Sequence, residues 1–335
     1  MYTQDQLLQK NNLNNEIVEK ALLDLYGNRY REYRQNYILA GEFAYEPEFP
    51  LYLMLEQTYS CNLKCPSCIH GFPDEKKVFD TGLSVMPRSV FEKIILEGKE
   101  NNCPSVAFHV NDEPLLVKDL PERVAFAKNN GFMDIFLTTN GTLLTLPRAI
   151  KLIDAGVTQV LFSIDAATPE TYEKTRPGGR FKQVWDNICA LVQYKKENNL
   201  VLPALRASFV NSRLNAHERQ FFIEKFSPLV DYVEIQGFSS YYLTNTHLIP
   251  QGAHPIEEFS CNEPWRKLII RSNGDVLPCC SFYGYEIIVG NIDRQSLKEI
   301  FQGDQCAELR KEFKEGKFSL SPCQACSKSF YMAPE

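Results

Sequence analysis

No apolar run in this chain approaches the roughly 20 residues that a membrane-spanning helix needs, so no membrane partner is expected. The opening stretch, MYTQDQLLQKNNLNNEIVEKALLDL, lacks both the basic start and the unbroken apolar core of an export signal. Blocks of Lys and Arg are missing too. Charges of both signs alternate and the formal net charge is only -6, which leaves no electrostatic footprint for a nucleic acid. Solenoid repeats and low-complexity tracts are likewise absent. What is present is the composition of a globular protein, 44% hydrophobic and 23% charged over 335 residues, with enough chain for a large core. A cytoplasmic location is the expectation that follows.

Against that background eleven cysteines stand out. A reducing cytosol does not sustain a disulfide framework, so metal ligation is the better explanation. Cys61, Cys65 and Cys68 fall within eight residues, and six more lie between Cys261 and Cys326. Cys103 and Cys189 stand alone and read as buried apolar thiols.

From about residue 50 to 240, short β-branched and aromatic runs alternate with longer amphipathic stretches, the pattern of βα units around a parallel sheet. Strands are expected at Leu51–Leu55, Ser105–Val110, Asp134–Thr139, Gln159–Ile164, Leu205–Val210 and Tyr232–Gln236. Helices are expected at Pro87–Glu100, Leu120–Asn129, Pro147–Ala155, Phe181–Glu197 and His217–Phe226, with Gly131 and Gly156 as stops. Six units cannot close an eight-unit barrel. The predicted fold is therefore α/β, a partial (βα)6 TIM-like barrel open at its edges, with its active groups at the C-terminal ends of the strands. Residues 1–49 carry helical spacing at Ile17, Ala21, Leu22 and Leu25 and read as a helical extension. Residues 241–335 read as a Cys-rich, turn-rich module, with Cys306 in a helix at Gln305–Lys314.

The C-x3-C-x2-C of Cys61, Cys65 and Cys68 follows the first strand, on a loop at the active face. Three thiolates at this spacing can each hold one iron of a cubane and leave the fourth iron open; the alternative is a zinc knuckle that borrows His70. This motif resembles that of the radical S-adenosylmethionine (radical SAM) superfamily. The resemblance implies that the open iron chelates S-adenosylmethionine, and that reductive cleavage gives a 5′-deoxyadenosyl radical which abstracts a substrate hydrogen. Asn111-Asp112-Glu113-Pro114 stands where the family usually has Gly-Gly-Glu-Pro, offering carbonyls to the methionyl amino group. Ser67 replaces the aromatic residue common before the third cysteine, with Ile69 as a substitute adenine contact. By the same resemblance Thr139 and Asn140, then Ser163 and Asp165, supply cofactor contacts from strand ends, Glu113 supports the methionine end, and Arg206 pairs with the methionine carboxylate.

Cys261, Gly274, Cys279, Cys323 and Cys326 resemble the SPASM extension of that superfamily, in its shortened, twitch form. The resemblance implies a second 4Fe-4S cluster held by Cys261, Cys279, Cys323 and Cys326, with Cys280 the rival of Cys279 and Cys306 a spectator. A structural zinc ribbon is the alternative for this quartet.

The layout resembles that of 2-deoxy-scyllo-inosamine dehydrogenase. It implies an oxidoreductase acting on a sugar, cyclitol or amino sugar, with the auxiliary cluster taking an electron and a flavodoxin or ferredoxin as donor. Other readings are a ribosomal-peptide maturase, for which the extension is short, and a redox-neutral epimerase or rearrangement catalyst with Cys103, Cys280 or Cys306 as hydrogen donor. A non-catalytic metal-binding scaffold is the reading from outside the enzymes. No catalytic base is identified; His109, Glu234, Gln236 and Tyr241 are candidates near strand ends.

Overall fold

The computed structural model describes residues 8–12, 15–240 and 244–332. Six consecutive strands, β2 (Tyr52–Leu55), β3 (Ser105–Ala107), β4 (Asp134–Thr139), β5 (Gln159–Ser163), β6 (Ala204–Val210) and β7 (Tyr232–Gln236), pair in parallel with their sequence neighbours. The expected helices lie between them, at Arg88–Glu100, Leu120–Asn129, Leu146–Ala155, Phe181–Glu197 and Arg219–Phe226. Gly156 ends its helix in the left-handed region that glycine adopts freely (φ 99°). Two short helices, Pro73–Val78 and Pro169–Thr175, were not legible as such from periodicity.

Both flanks differ from the expectation. The extension holds the expected helices, Asn15–Tyr26 and Asn28–Gly41, but also β1 (Leu8–Asn12), antiparallel to β7 with Lys10 opposite Glu234. The apolar face of its first helix includes Val18 and Leu22, both buried, whereas Leu25 is 62% exposed and drops out of the expected stripe. At the other edge β10 (Lys267–Ile270) pairs in parallel with β2, and β11 (Asp275–Leu277) and β12 (Gly290–Asn291) follow antiparallel, so one ten-stranded sheet runs across position 240. A small second sheet joins β8 (Phe238–Ser239), β13 (Phe330–Met332) and β9 (His254–Pro255).

Side chains alternate across each strand, so the sheet has two distinct faces. Leu53, Leu55, Val106, Leu268 and Ile270 join the outer core beneath the helices. Tyr52, Met54, Ala107 and Ile269 join a smaller inner cluster, against which Cys68 and Cys280 pack. The extension is tied to the C-terminal region by Asn262 Nδ2 on the Gly41 carbonyl (2.9 Å) and Arg310 on Glu46 (2.7 Å). Leu53 is fully buried at the centre of the outer core. Leu53→Ala is expected to lower unfolding free energy by about 2–5 kcal/mol, read from the urea midpoint; a change within error would mean that the core is not the cooperative unit described.

Candidate functional site

β2 delivers the chain to the loop carrying Cys61, Cys65 and Cys68. The loop closes on itself through Cys68 N–H to the Cys65 carbonyl (3.0 Å) and Gly71 N–H to the Cys68 carbonyl (2.8 Å). A Cβ on Gly71 would stand 2.4 Å from the Cys65 oxygen, so only glycine permits this closure. From outside, the Pro177 carbonyl accepts the Lys64 N–H (3.1 Å). Burial pushes the Cys61 and Cys68 thiols up to about 11 and Cys65 up to about 12, and each of the three is raised further by another of the set. The three thiols are therefore near enough to interact electrostatically.

N–H donors are aimed at the sulfurs. Leu63 N–H approaches Cys61 Sγ at 3.4 Å, Asn140 Nδ2 the same sulfur at 3.8 Å, and Arg176 Nη1 lies 3.8 Å from Cys65 Sγ. Such donors stabilise metal-bound thiolate, so the donor set fits an iron-sulfur cluster. The zinc alternative fits less well. His70 spends its Nε2–H on the Asn111 carbonyl (2.7 Å), and among the described residues no three His, Cys, Asp or Glu side chains converge as ligands of one ion.

The second set surrounds a cavity. Cys261, Cys279, Cys323 and Cys326 line it, together with the apolar rings of Phe259, Phe313 and Phe318. Cys323 and Cys326 sit one helical turn apart on Ser321–Ser327, and Cys279 follows β11. Burial raises Cys323 to about 12 and Cys326 to about 11, and holds Cys261 and Cys279 well above the usual thiol range. Cys280 does not line the cavity. Its sulfur accepts from Lys267 Nζ at 3.3 Å and lies 3.7 Å from Glu263 Oε2. Four thiols in an otherwise apolar cavity fit a fully ligated cluster.

A family model of the radical SAM superfamily matches residues 55–205, and one of SPASM, an iron-sulfur cluster-binding domain, matches residues 261–327. This chain is a radical SAM protein with a SPASM domain. S-adenosylmethionine and 4Fe-4S clusters are its cofactors. A probable GTP 3′,8-cyclase of Methanococcus maripaludis is 36% identical over 134 residues, 40% of this chain and 43% of that protein. The chain thus spans less than half the length of the curated relative it matches. BtrN in complex with AdoMet and 2-DOIA superposes with a TM-score of 0.53 at 20% identity, covering 84% of this chain and 93% of BtrN. Streptococcus suis SuiB bound to precursor peptide SuiA gives 0.55 at 19%, covering 90% of this chain and 74% of SuiB. At these identities the two structures share its fold.

Within the radical SAM domain the expected cofactor contacts divide. Glu113 is buried beside the cysteine loop, its Oε1 accepting from Thr139 Oγ1 (2.7 Å) and its Oε2 from Asn140 N–H (2.8 Å), so these three stand together. Asp112 is turned to the Val110 N–H (2.7 Å) and the Thr58 N–H (3.3 Å), and the Asn111 carbonyl is taken by His70. Ser163 ends β5, paired with Ser208 of β6.

Two of the expected contact residues have protein partners of their own. Asp165, in the left-handed region (φ 59°), gives one carboxylate oxygen to Arg176 (2.6 Å) and the other to Val210 N–H (2.7 Å), so it braces the loop through Arg176. Arg206 lies mid-strand and is paired with Glu234 at 3.0 Å. Of the base candidates, His109 is neutral: burial, then the charges of Arg206 and Lys267, lower it to about 3, and its Nδ1 accepts the Thr138 N–H (3.1 Å). Its Nε2–H is a donor. Tyr241 lies outside the described residues. Sequence alone assigned Arg176 no role; the fold brings it beside Cys65. Cys189 is half-exposed, unlike the buried Cys103.

In the SPASM domain a Cβ on Gly284 would stand 2.6 Å from Cys279 Sγ. Gly284→Ala is expected to cost about four irons per chain, one cluster's content, on anaerobic reconstitution and iron analysis. Full iron retention would mean that Cys279 is not a ligand.

Proposed function

We propose that this protein abstracts hydrogen from a small polar metabolite, a sugar, cyclitol or amino sugar, and that the net outcome is two-electron oxidation of an alcohol. Cys61, Cys65 and Cys68 would hold the cluster that binds S-adenosylmethionine, with Glu113, Thr139 and Asn140 beside its methionine end. When bound there, the cofactor pair supplies a primary carbon radical. Cys261, Cys279, Cys323 and Cys326 would hold the auxiliary cluster, which when bound supplies a one-electron acceptor.

The observation that carries this reading is the apolar cavity ringed by four thiols. With four protein ligands available, no position is left for a substrate, and the apolar rings keep water from the sulfurs, which favours electron carriage over direct substrate binding. Arg176 braces the other loop, as its 3.8 Å approach to Cys65 and its pairing with Asp165 indicate. Breaking that buried pair from one side would cost several kcal/mol, about 3–5. BtrN, which binds AdoMet and 2-DOIA in its structure, supports the layout through the shared fold. A flavodoxin or ferredoxin is the proposed donor. A redox-neutral outcome is the second reading, favoured by the placement of Cys280 outside the quartet.

Anaerobic reconstitution is expected to give about eight irons and eight sulfides per chain, falling to about four of each in a Cys61→Ala, Cys65→Ala, Cys68→Ala variant. Dithionite and S-adenosylmethionine should yield 5′-deoxyadenosine with the wild type and none with that variant. About four irons falling to none, with zinc in the C-terminal module, would remove the internal acceptor and with it the oxidation reading.

A further inference from the structure

The central strands alternate in burial as well as in side-chain direction. Leu137, Phe162, Ala207 and Val233 are fully buried beneath the helices, whereas Thr138, Ser163, Arg206 and Gln236, pointing the other way, are only half-buried. Each lies in a strand with a paired neighbour on both sides, so solvent reaches these four only from within the curve of the sheet. The inner face therefore opens on a lumen.

One charged pair on the lumen wall is incomplete. Register sets Leu161 beside Arg206 and, one row on, Ser208 beside Glu234. Arg206 Nε and Glu234 Oε2 stand 3.0 Å apart as an ion pair, yet both atoms are buried and neither makes a hydrogen bond among the described residues. Buried pairs elsewhere are satisfied: Asp165 accepts from Arg176 at 2.6 Å, Glu56 from Arg271 at 3.2 Å and Asp231 from Lys195 at 3.2 Å. Glu234 is 1% exposed, and a carboxylate oxygen buried without a donor is costly unless a bound molecule supplies one. His109 brings a further donor. Its Nδ1 is taken by the Thr138 N–H, which leaves Nε2–H, and after burial it is the nearby Arg206 charge that keeps the ring neutral.

We propose that Arg206 and Glu234 select the substrate, and that the molecule they select presents an uncharged vicinal diol. The inference rests on the alcohol-oxidation reading and narrows it to an uncharged sugar or cyclitol. Arg206 Nε–H donates to one hydroxyl oxygen, and the neighbouring hydroxyl donates to Glu234 Oε2. A hydroxyl can serve in either role, so two adjacent ones satisfy a donor and an acceptor that stand side by side. Charge decides against the alternatives. Arg206 and Glu234 neutralise each other, as Lys267 and Glu263 do on the same face, so an ammonium or a carboxylate entering the lumen would find no uncompensated counter-charge.

The test uses the anaerobically reconstituted full chain with S-adenosylmethionine and no reductant, and reads the binding of myo-inositol, glucosamine and gluconate by saturation-transfer NMR titration. Myo-inositol is expected to bind at least about tenfold more tightly than either charged probe. Its affinity should fall about 10–100-fold in Glu234→Gln, the loss of one hydrogen bond to a charged group, while affinity for S-adenosylmethionine, read by equilibrium dialysis, is kept. The double variant Arg206→Gln, Glu234→Gln leaves no buried charge uncompensated and should show the same loss where the single variant fails to fold.

Tighter binding of glucosamine or gluconate, equal binding of all three probes, or binding of none overturns the diol assignment and leaves the oxidation reading standing. Myo-inositol affinity kept in both variants, with a lowered melting temperature, would make the pair structural and refute the proposal. A fall in S-adenosylmethionine affinity in step with that for myo-inositol would refute it as well, by making Arg206 and Glu234 cofactor contacts. A wild type that lacks the second cluster would instead overturn the oxidation reading itself.

Discussion

The ladder between β10 and β2 fixes where nearly every other functional group stands. Its register sets Lys267 beside Tyr52, Leu268 beside Leu53, Ile269 beside Met54 and Ile270 beside Leu55. Because side chains alternate, that single choice sends Leu268 and Ile270 into the outer core and turns Lys267 and Ile269 to the inner face. A slip by one residue would drive the Lys267 ammonium among leucines, a burial that unpaired charge does not tolerate. Downstream, β11 hangs antiparallel from β10 and delivers Cys279 to the cavity and Cys280 to the opposite side. Upstream, Glu56 at the end of β2 is bound by Arg271 at the end of β10 and by the Tyr285 hydroxyl. The pairing thus welds the loop of Cys61, Cys65 and Cys68 to the Cys-rich module.

A second constraint acts on the loop itself. Buried thiols at neutral pH are protonated unless cations or N–H donors favour the thiolate. Arg176 and Asn140 bring such donors to two of the three sulfurs, one from the end of the helix Pro169–Thr175 and the other from the end of β4. Asp165 holds Arg176 in place from a left-handed backbone position that aspartate tolerates better than most residues. The loop's chemistry is therefore set by residues far from it in sequence.

Much of this was legible in the sequence because the signals are local. All six parallel strands and five helices follow from alternation, helical periodicity and their Pro and Gly punctuation, and the C-x3-C-x2-C motif needs only spacing. The parallel docking of β10 was not legible, since Lys267–Ile270 is four residues long and nothing local states which strand it meets. The choice between Cys279 and Cys280 depends on the direction of one extended segment, which composition does not encode. Arg206 and Asp165 read as cofactor contacts because they sit in the right stretches. Their protein partners, Glu234 and Arg176, are fixed only once the sheet has brought the strands together.

The same ladder has a consequence for the order in which the protein is made. β2 leaves the ribosome more than 200 residues before β10, so the first strand of the barrel waits with an unpaired edge. At about 5–20 residues per second, the loop thiols emerge on the order of 10 to 50 seconds before the cavity that Cys323 and Cys326 complete. During that interval the nascent chain exposes a sheet edge beside three adjacent thiols. Newly made chain is therefore most exposed to strand-edge aggregation and thiol oxidation before β10 and the second cysteine set have been synthesised, and the two cysteine sets become available to iron at different times.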